Sequence, residues 1–163
     1  MKNFLLLSLL IVSLACHSQD GTTFILVRHA EKSTDDPKDP NLSEAGITRT
    51  MKLADLLERT AITAVYSTPY KRTRSTVLPI ANTRKLPVLE YAPTDPKAFA
   101  AELLGKHAGG TVLISGHSNT IPGLANALLG EEKFASFDDA DYGNILVIFV
   151  DGSGKGRLLH LRF

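Results

Sequence analysis

The sequence predicts an α/β fold: a single three-layer domain with a mostly parallel sheet and helices on both faces. Two observations predict it. From Thr22 onward, short apolar runs alternate with segments of helical spacing, the pattern of βαβ units. The runs Phe24-Ile25-Leu26-Val27 and Thr111-Val112-Leu113-Ile114 are also unbroken by polar residues, as expected of parallel strands covered on both faces. With 163 residues, the chain suits one domain with a substantial core.

Phe24 to Arg28 reads as the first strand. Glu31 to Pro40, acidic and holding two prolines, reads as a surface loop. Ser43 is placed to cap a helix that carries Leu53, Leu56 and Leu57 on one face. Ile62 to Tyr66 is a second strand. A helix follows from Tyr70 to about Asn82, with Pro69 at its start. Pro87 to Leu89 is a short third strand. Asp95-Pro96 reads as an N-cap with proline at the first helical position, opening a helix to about His107. Gly109-Gly110 separates that helix from the strand Thr111 to Ser115. Asn119 to Leu129 is helical and Gly130 stops it. Ile145 to Val150 is a long apolar strand. Gly152 to Gly156 turns the chain, and Arg157 to Leu161 returns as an edge strand.

The formal charge is +1 and basic patches such as Lys71-Arg72-Thr73-Arg74 are short, so no nucleic-acid partner is indicated. Residues 1–19 read as an export signal: Met1-Lys2-Asn3 is a basic start, Phe4 to Leu14 an apolar stretch too short to span a membrane comfortably. Ala15-Cys16 resembles a lipoprotein cleavage box, which would lipidate Cys16 and attach the protein to a membrane. Ordinary signal cleavage between Cys16 and Asp20 is the alternative. On either reading the protein is exported, as a periplasmic or membrane-anchored lipoprotein or a secreted protein. Cys16 is the single cysteine, so no internal disulfide forms. Oligomeric state is not legible in the sequence.

The chemistry concentrates at strand ends. Arg28-His29 leaves the first strand, Ser67 to Arg72 follows the second, and His117 follows the fourth just before a helix N-terminus. Open α/β sheets bind ligands at this edge, and free amides at a helix start favour an anion. Two arginines and two histidines there make a cationic, donor-rich pocket suited to phosphate or sulfate. A neutral imidazole can attack phosphorus while guanidinium groups neutralise the non-bridging oxygens.

Leu26-Val27-Arg28-His29-Ala30-Glu31, Ser67-Thr68-Pro69-Tyr70-Lys71-Arg72-Thr73 and Ser115-Gly116-His117-Ser118-Asn119 resemble, in order, three signatures of the histidine phosphatase superfamily, in its phosphoglycerate-mutase-like branch 1. Leu42-Ser43-Glu44-Ala45-Gly46 resembles the helix start common there. The resemblance implies a phosphoglycerate-mutase-like domain over residues 20–163. It implies that His29 is the nucleophile and that Arg28, Arg72 and His117 bind the phosphate. The enzyme would then be a phosphatase hydrolysing phosphate monoesters or phosphoramidates through a phosphohistidine, with no metal or organic cofactor and a small phosphorylated substrate. The family places an acid after the third strand; Glu90 is the first choice and Asp95 the second, with N-capping as its structural alternative. If neither reaches the pocket, good leaving groups are favoured. The motif departs from the family pattern at Ala30, where glycine is commoner.

Three other functions compete. A phosphoglycerate-mutase-type phosphotransferase would need a lid, for which little chain is available. A non-catalytic phosphate-binding lipoprotein would use the same pocket without turnover. A metallohydrolase is disfavoured by the lack of His-x-His or His-x-x-x-His spacing. Lys71, Arg74, His107 and His160 read as surface or structural residues, and Asp138-Asp139-Ala140-Asp141 as a polar loop.

Overall fold

The computed structural model describes residues 21–163; the stretch expected to be an export signal, with Cys16, lies outside them. Six strands and four helices follow one another as β1 (Thr22–Arg28), α1 (Glu44–Leu56), β2 (Ala64–Ser67), α2 (Lys71–Arg84), β3 (Val88–Glu90), α3 (Pro96–Lys106), β4 (Thr111–Gly116), α4 (Thr120–Leu129), β5 (Asn144–Val150) and β6 (Gly156–Arg162). Every predicted element is present, with no end moved by more than two residues. They form one sheet in the order β3-β2-β4-β1-β5-β6. The first four strands in that order run parallel. The last two form an antiparallel hairpin on the β1 side.

Alternation of side chains across the pleat explains the apolar runs. Phe24 and Leu26 face one side, packing with Phe99 and Leu103 of α3 and Ile121, Leu124 and Leu128 of α4. Ile25 and Val27 face the other, packing with Leu53 of α1, Leu57 just beyond it, and Val77 and Ile80 of α2. Both faces of β1 and β4 are therefore dry. Leu56 departs from its predicted place: it is 52% exposed. Leu53 and Leu57, four apart, lie above one another towards the sheet, while Leu56 falls on the solvent flank of that stripe.

The helix starts follow local chemistry. The Ser43 side chain accepts the Gly46 amide at the start of α1, and Asp95 accepts the Lys97 and Ala98 amides at the start of α3. Gly130, at φ 71°, ends α4 in the left-handed conformation that glycine adopts freely. Gly46 has a second role. A β-carbon there would collide with the Glu31 backbone carbonyl, so glycine lets α1 press against the chain leaving β1. Glu31 is held on the same side by the Arg49 guanidinium, with Nη2 2.7 Å from Oε1.

Leu146 is fully buried between β1 and β6 in the α4-side core. Leu146→Ala is expected to destabilise the fold by about 2–5 kcal/mol, measured as a lower midpoint in urea unfolding with an unchanged slope.

Candidate active site

The carboxyl ends of β1 and β4 are adjacent, with Arg28 paired to Gly116. The His29 amide then donates to the Gly116 carbonyl at 2.9 Å. The two histidines that follow these strands are consequently neighbours, with ring centroids 5.4 Å apart in an edge-to-face arrangement. They lie in a cleft of about 410 Å³ lined by Arg28, His29, Lys32, Tyr70, Arg72, Pro93, His117, Ser118, Asn119, Thr120 and Asp139.

His29 is 4% exposed and held at three points. Its own amide is tied to β4. The next amide, of Ala30, donates to Thr76 Oγ1 at 2.9 Å; that hydroxyl in turn donates to the Arg72 carbonyl. The ring Nδ1 lies 2.8 Å from the Ala30 carbonyl oxygen. A carbonyl only accepts, so Nδ1 carries the proton and Nε2 keeps its lone pair. Burial, joined by the charges of Arg28, His117 and Arg72, lowers the pKa to about 4. His29 is a neutral imidazole with a free Nε2 at physiological pH.

His117 is fixed differently. Its amide donates to Thr120 Oγ1 at 2.8 Å, and its Nε2 lies 3.0 Å from Thr68 Oγ1. The Thr68 hydroxyl gives its own proton to Thr73 Oγ1, and Thr73 gives its proton to backbone carbonyls. That direction of donation places the His117 proton on Nε2. Burial and the charges of Arg72 and Arg28 lower its pKa to about 4 as well. Gly116, before it, is a close-approach glycine: a β-carbon would come within 2.7 Å of Thr120 Oγ1 and 2.8 Å of the Tyr91 hydroxyl.

Arg72 stands in the first turn of α2. Its Nη1 is buried without a hydrogen bond, 3.5 Å from Asp39 Oδ1, and its guanidinium packs 4.6 Å from the Tyr70 ring centroid. Arg28 is partly committed elsewhere. Its Nη1 donates to the carbonyls of Asp138, Asp139 and Asp141 at 2.8, 3.1 and 3.2 Å. Its Nε is buried and unpartnered, and Nη2 has only a 3.4 Å contact to Asp139 Oδ1. The Nε/Nη2 edge is therefore the fork available to an anion, and the Nη1 edge staples a loop. The amino end of α4 has no side-chain cap, and Ser118 to Thr120 line the cleft there. That end suits an anion.

The structure thus brings Arg28, His29, Arg72 and His117 together. It does not bring in Glu90 or Asp95, which line a separate cleft with Thr94 and Glu102. Glu90 ends β3, the edge strand; two strands stand between it and β1, so the separation across the sheet is roughly 14 Å. Its carboxylate pairs with Arg74. Asp95 serves as the α3 N-cap. Lys32, Tyr70, Thr68, Thr76, Asp39, Tyr142 and Asp139 were not singled out as site residues by sequence. The Tyr142 ring lies 4.2 Å from the Arg28 guanidinium. Of these, Thr68 and Tyr70 carried a signal, since they lie within the second signature. His107 pairs with the Tyr66 hydroxyl at 3.0 Å, and His160 with Asn144, both structural. Among the described residues no group of His, Cys, Asp and Glu is arranged to hold a metal ion.

A family model described as histidine phosphatase superfamily (branch 1) matches residues 24–92, which contain the first two signatures; the structure adds the third beside them. Residues 24–92 are thus similar to this superfamily. Its sheet and helices superpose on the protein histidine phosphatase SixA complexed with tungstate (TM-score 0.70, 19% identity, 86% of this chain and 96% of that one). They also superpose on Bacillus stearothermophilus YhfR (TM-score 0.66, 22% identity, 84% and 95%). These likenesses concern the fold. Phosphoserine phosphatase 1 of Hydrogenobacter thermophilus is 40% identical over 72 residues, which is 40% of this chain and 34% of that protein. The chain therefore matches about a third of that relative's length.

The two lowered histidine pKa values have a stability consequence. In the folded protein both stay neutral down to about pH 4, whereas in the unfolded chain they take up protons from about 6.5 downward. The unfolded state therefore binds more protons in this window, and stability falls as pH drops from 6.5 to 4. Urea midpoints measured at pH 7 and pH 5 should show this fall. The double variant His29→Gln/His117→Gln should show a smaller one; an equal fall would contradict the buried, neutral placement.

Proposed function

We propose that this protein is a metal-independent phosphatase that hydrolyses phosphate monoesters or phosphoramidates through a phosphohistidine on His29. The observation that carries this is the free Nε2 lone pair of a neutral, rigidly held His29, set among two guanidinium groups, His117 and an uncapped helix start. A dianionic phosphoryl group fits the open Nε/Nη2 edge of Arg28, Nη1 of Arg72 and the amides of α4. These donors stabilise the three equatorial oxygens, where transition-state charge gathers. Nε2 attacks phosphorus in line, the bond to the leaving group breaks, and its electron pair departs with that group. Water then attacks the phosphohistidine and returns the electron pair to Nε2. Proton loss during attack is unnecessary, because Nδ1–H already points to the Ala30 carbonyl.

The names of the relatives support this reading: a phosphoserine phosphatase in sequence and a protein histidine phosphatase binding tungstate in fold. The cleft is shallow and open, which suits small phosphorylated substrates. We further propose that residues 1–19 direct export and that Cys16 is lipidated. Incorporation of labelled palmitate that is lost in Cys16→Ser would support lipidation. Export without incorporation would leave simple signal cleavage.

Hydrolysis of an aryl phosphate in excess chelator is the direct test of activity. Wild type should turn over, and His29→Ala should lose activity by at least about 10³-fold while keeping its circular-dichroism spectrum. Arg72→Ala should lose roughly 10²-fold or more. Phosphate or vanadate binding without turnover would instead make this a binding protein, and loss of activity in chelator would make it a metallohydrolase.

A further inference from the structure

We propose that Asp139 handles the protons of this reaction: it protonates the leaving oxygen as His29 takes the phosphoryl group, then accepts a proton from the attacking water. This rests on the phosphatase reading above.

Breaking the bond to an alkyl leaving group leaves an electron pair on oxygen, and a positioned acid there contributes about 10²–10⁴-fold. The carboxyls expected from sequence are occupied: Glu90 by Arg74, Asp95 by two α3 amides. Asp39 accepts the Lys71 amide at 3.0 Å and sits against Arg72. Asp139 is the one carboxylate among the residues lining the His29 cleft.

Its anchorage is unusual. The backbone is stapled to the site, because Arg28 Nη1 bonds to its carbonyl and to those of Asp138 and Asp141. The side chain is free, 94% exposed, with a single 3.4 Å contact to Arg28 Nη2. His29 is buried at the floor. In-line attack from the floor sends the leaving group towards the solvent mouth, the side on which an exposed Asp139 stands. The root of the residue is fixed while its carboxyl can swing to the departing oxygen.

The charges sharing the cleft are Arg28, Arg72 and Lys32, with neutral His29 and His117. An arriving phosphate dianion takes Nη2 of Arg28 as a ligand and releases the Asp139 carboxyl from its one contact. The cycle balances: Nε2 bonds to phosphorus, the phosphorus–oxygen bond breaks, and the leaving oxygen takes the Asp139 proton. Water then gives its proton to Asp139 as its oxygen bonds to phosphorus and the nitrogen–phosphorus bond breaks.

The test compares p-nitrophenyl phosphate, whose leaving group needs no proton, with glycerol 2-phosphate, whose leaving group does. Asp139→Asn should lower kcat/KM for glycerol 2-phosphate by about 10²-fold or more and for p-nitrophenyl phosphate by less than about 10-fold. Asp139→Glu should recover part of the first loss. Equal losses on both substrates, or none, would overturn the role of Asp139. So would a leaving-group-selective loss in Glu90→Gln that Asp139→Asn lacks. Wild-type protein inactive on both substrates would overturn the phosphatase reading instead, and with it this proposal.

Discussion

The site depends on one pairing: parallel β1 beside β4, in the register that sets Arg28 opposite Gly116. A shift of one residue would reverse which face each side chain meets. It would expose Phe24 and Leu26 or bury them against the wrong helices. The two apolar faces of β1 therefore lock the register, and the register places His29 and His117 side by side. The hydrophobic core is in this sense the positioning device of the two histidines. Neither histidine needs a carboxylate orienter, because backbone carbonyls and a short chain of threonine hydroxyls do that work. With no carboxylate bonded to either ring, burial and the arginines hold both imidazoles neutral.

A second constraint is the direction of β5. It runs antiparallel to β1, so its amino end, not its carboxyl end, reaches the edge that holds His29. The loop before it, residues 138–142, is delivered to Arg28 and brings Tyr142 and Asp139 with it. Arg28 thereby has two uses. One edge of the guanidinium secures this loop and the other is left open at the cleft. Arg72 is braced in a comparable way by Tyr70 and Asp39, each from a segment at the same edge. Two arginines with fixed planes offer an anion a prepared cage, with little side-chain entropy left to lose on binding.

These constraints explain what could be read from the sequence. Fold class, all ten elements and the group Arg28, His29, Arg72 and His117 were legible, because each depends on local pattern: apolar runs ending in a charged pair, glycine stops, an Asp-Pro helix start. Leu56 was misassigned because three leucines at spacings of three and one cannot all fall on one narrow stripe. Glu90 and Asp95 were misplaced for a topological reason. Their distance from His29 depends on strand order, and no local signal says that β3 lies at the sheet edge. Asp139 reads as part of a polar loop, and Tyr142 after it carries no signal, because β5's direction is likewise invisible in its own residues. Thr68 lies inside a recognised motif and Lys32 just beyond one, but their places in the cleft depend on neighbours from other strands.

The central claim is that His29 carries the phosphoryl group. Rapid acid-free quenching of the protein with ³²P-labelled aryl phosphate, followed by peptide mapping, tests it most directly. The account predicts an acid-labile, base-stable label on the peptide containing His29, formed and lost at rates compatible with turnover. Turnover without such a label, or a label on His117, would contradict it.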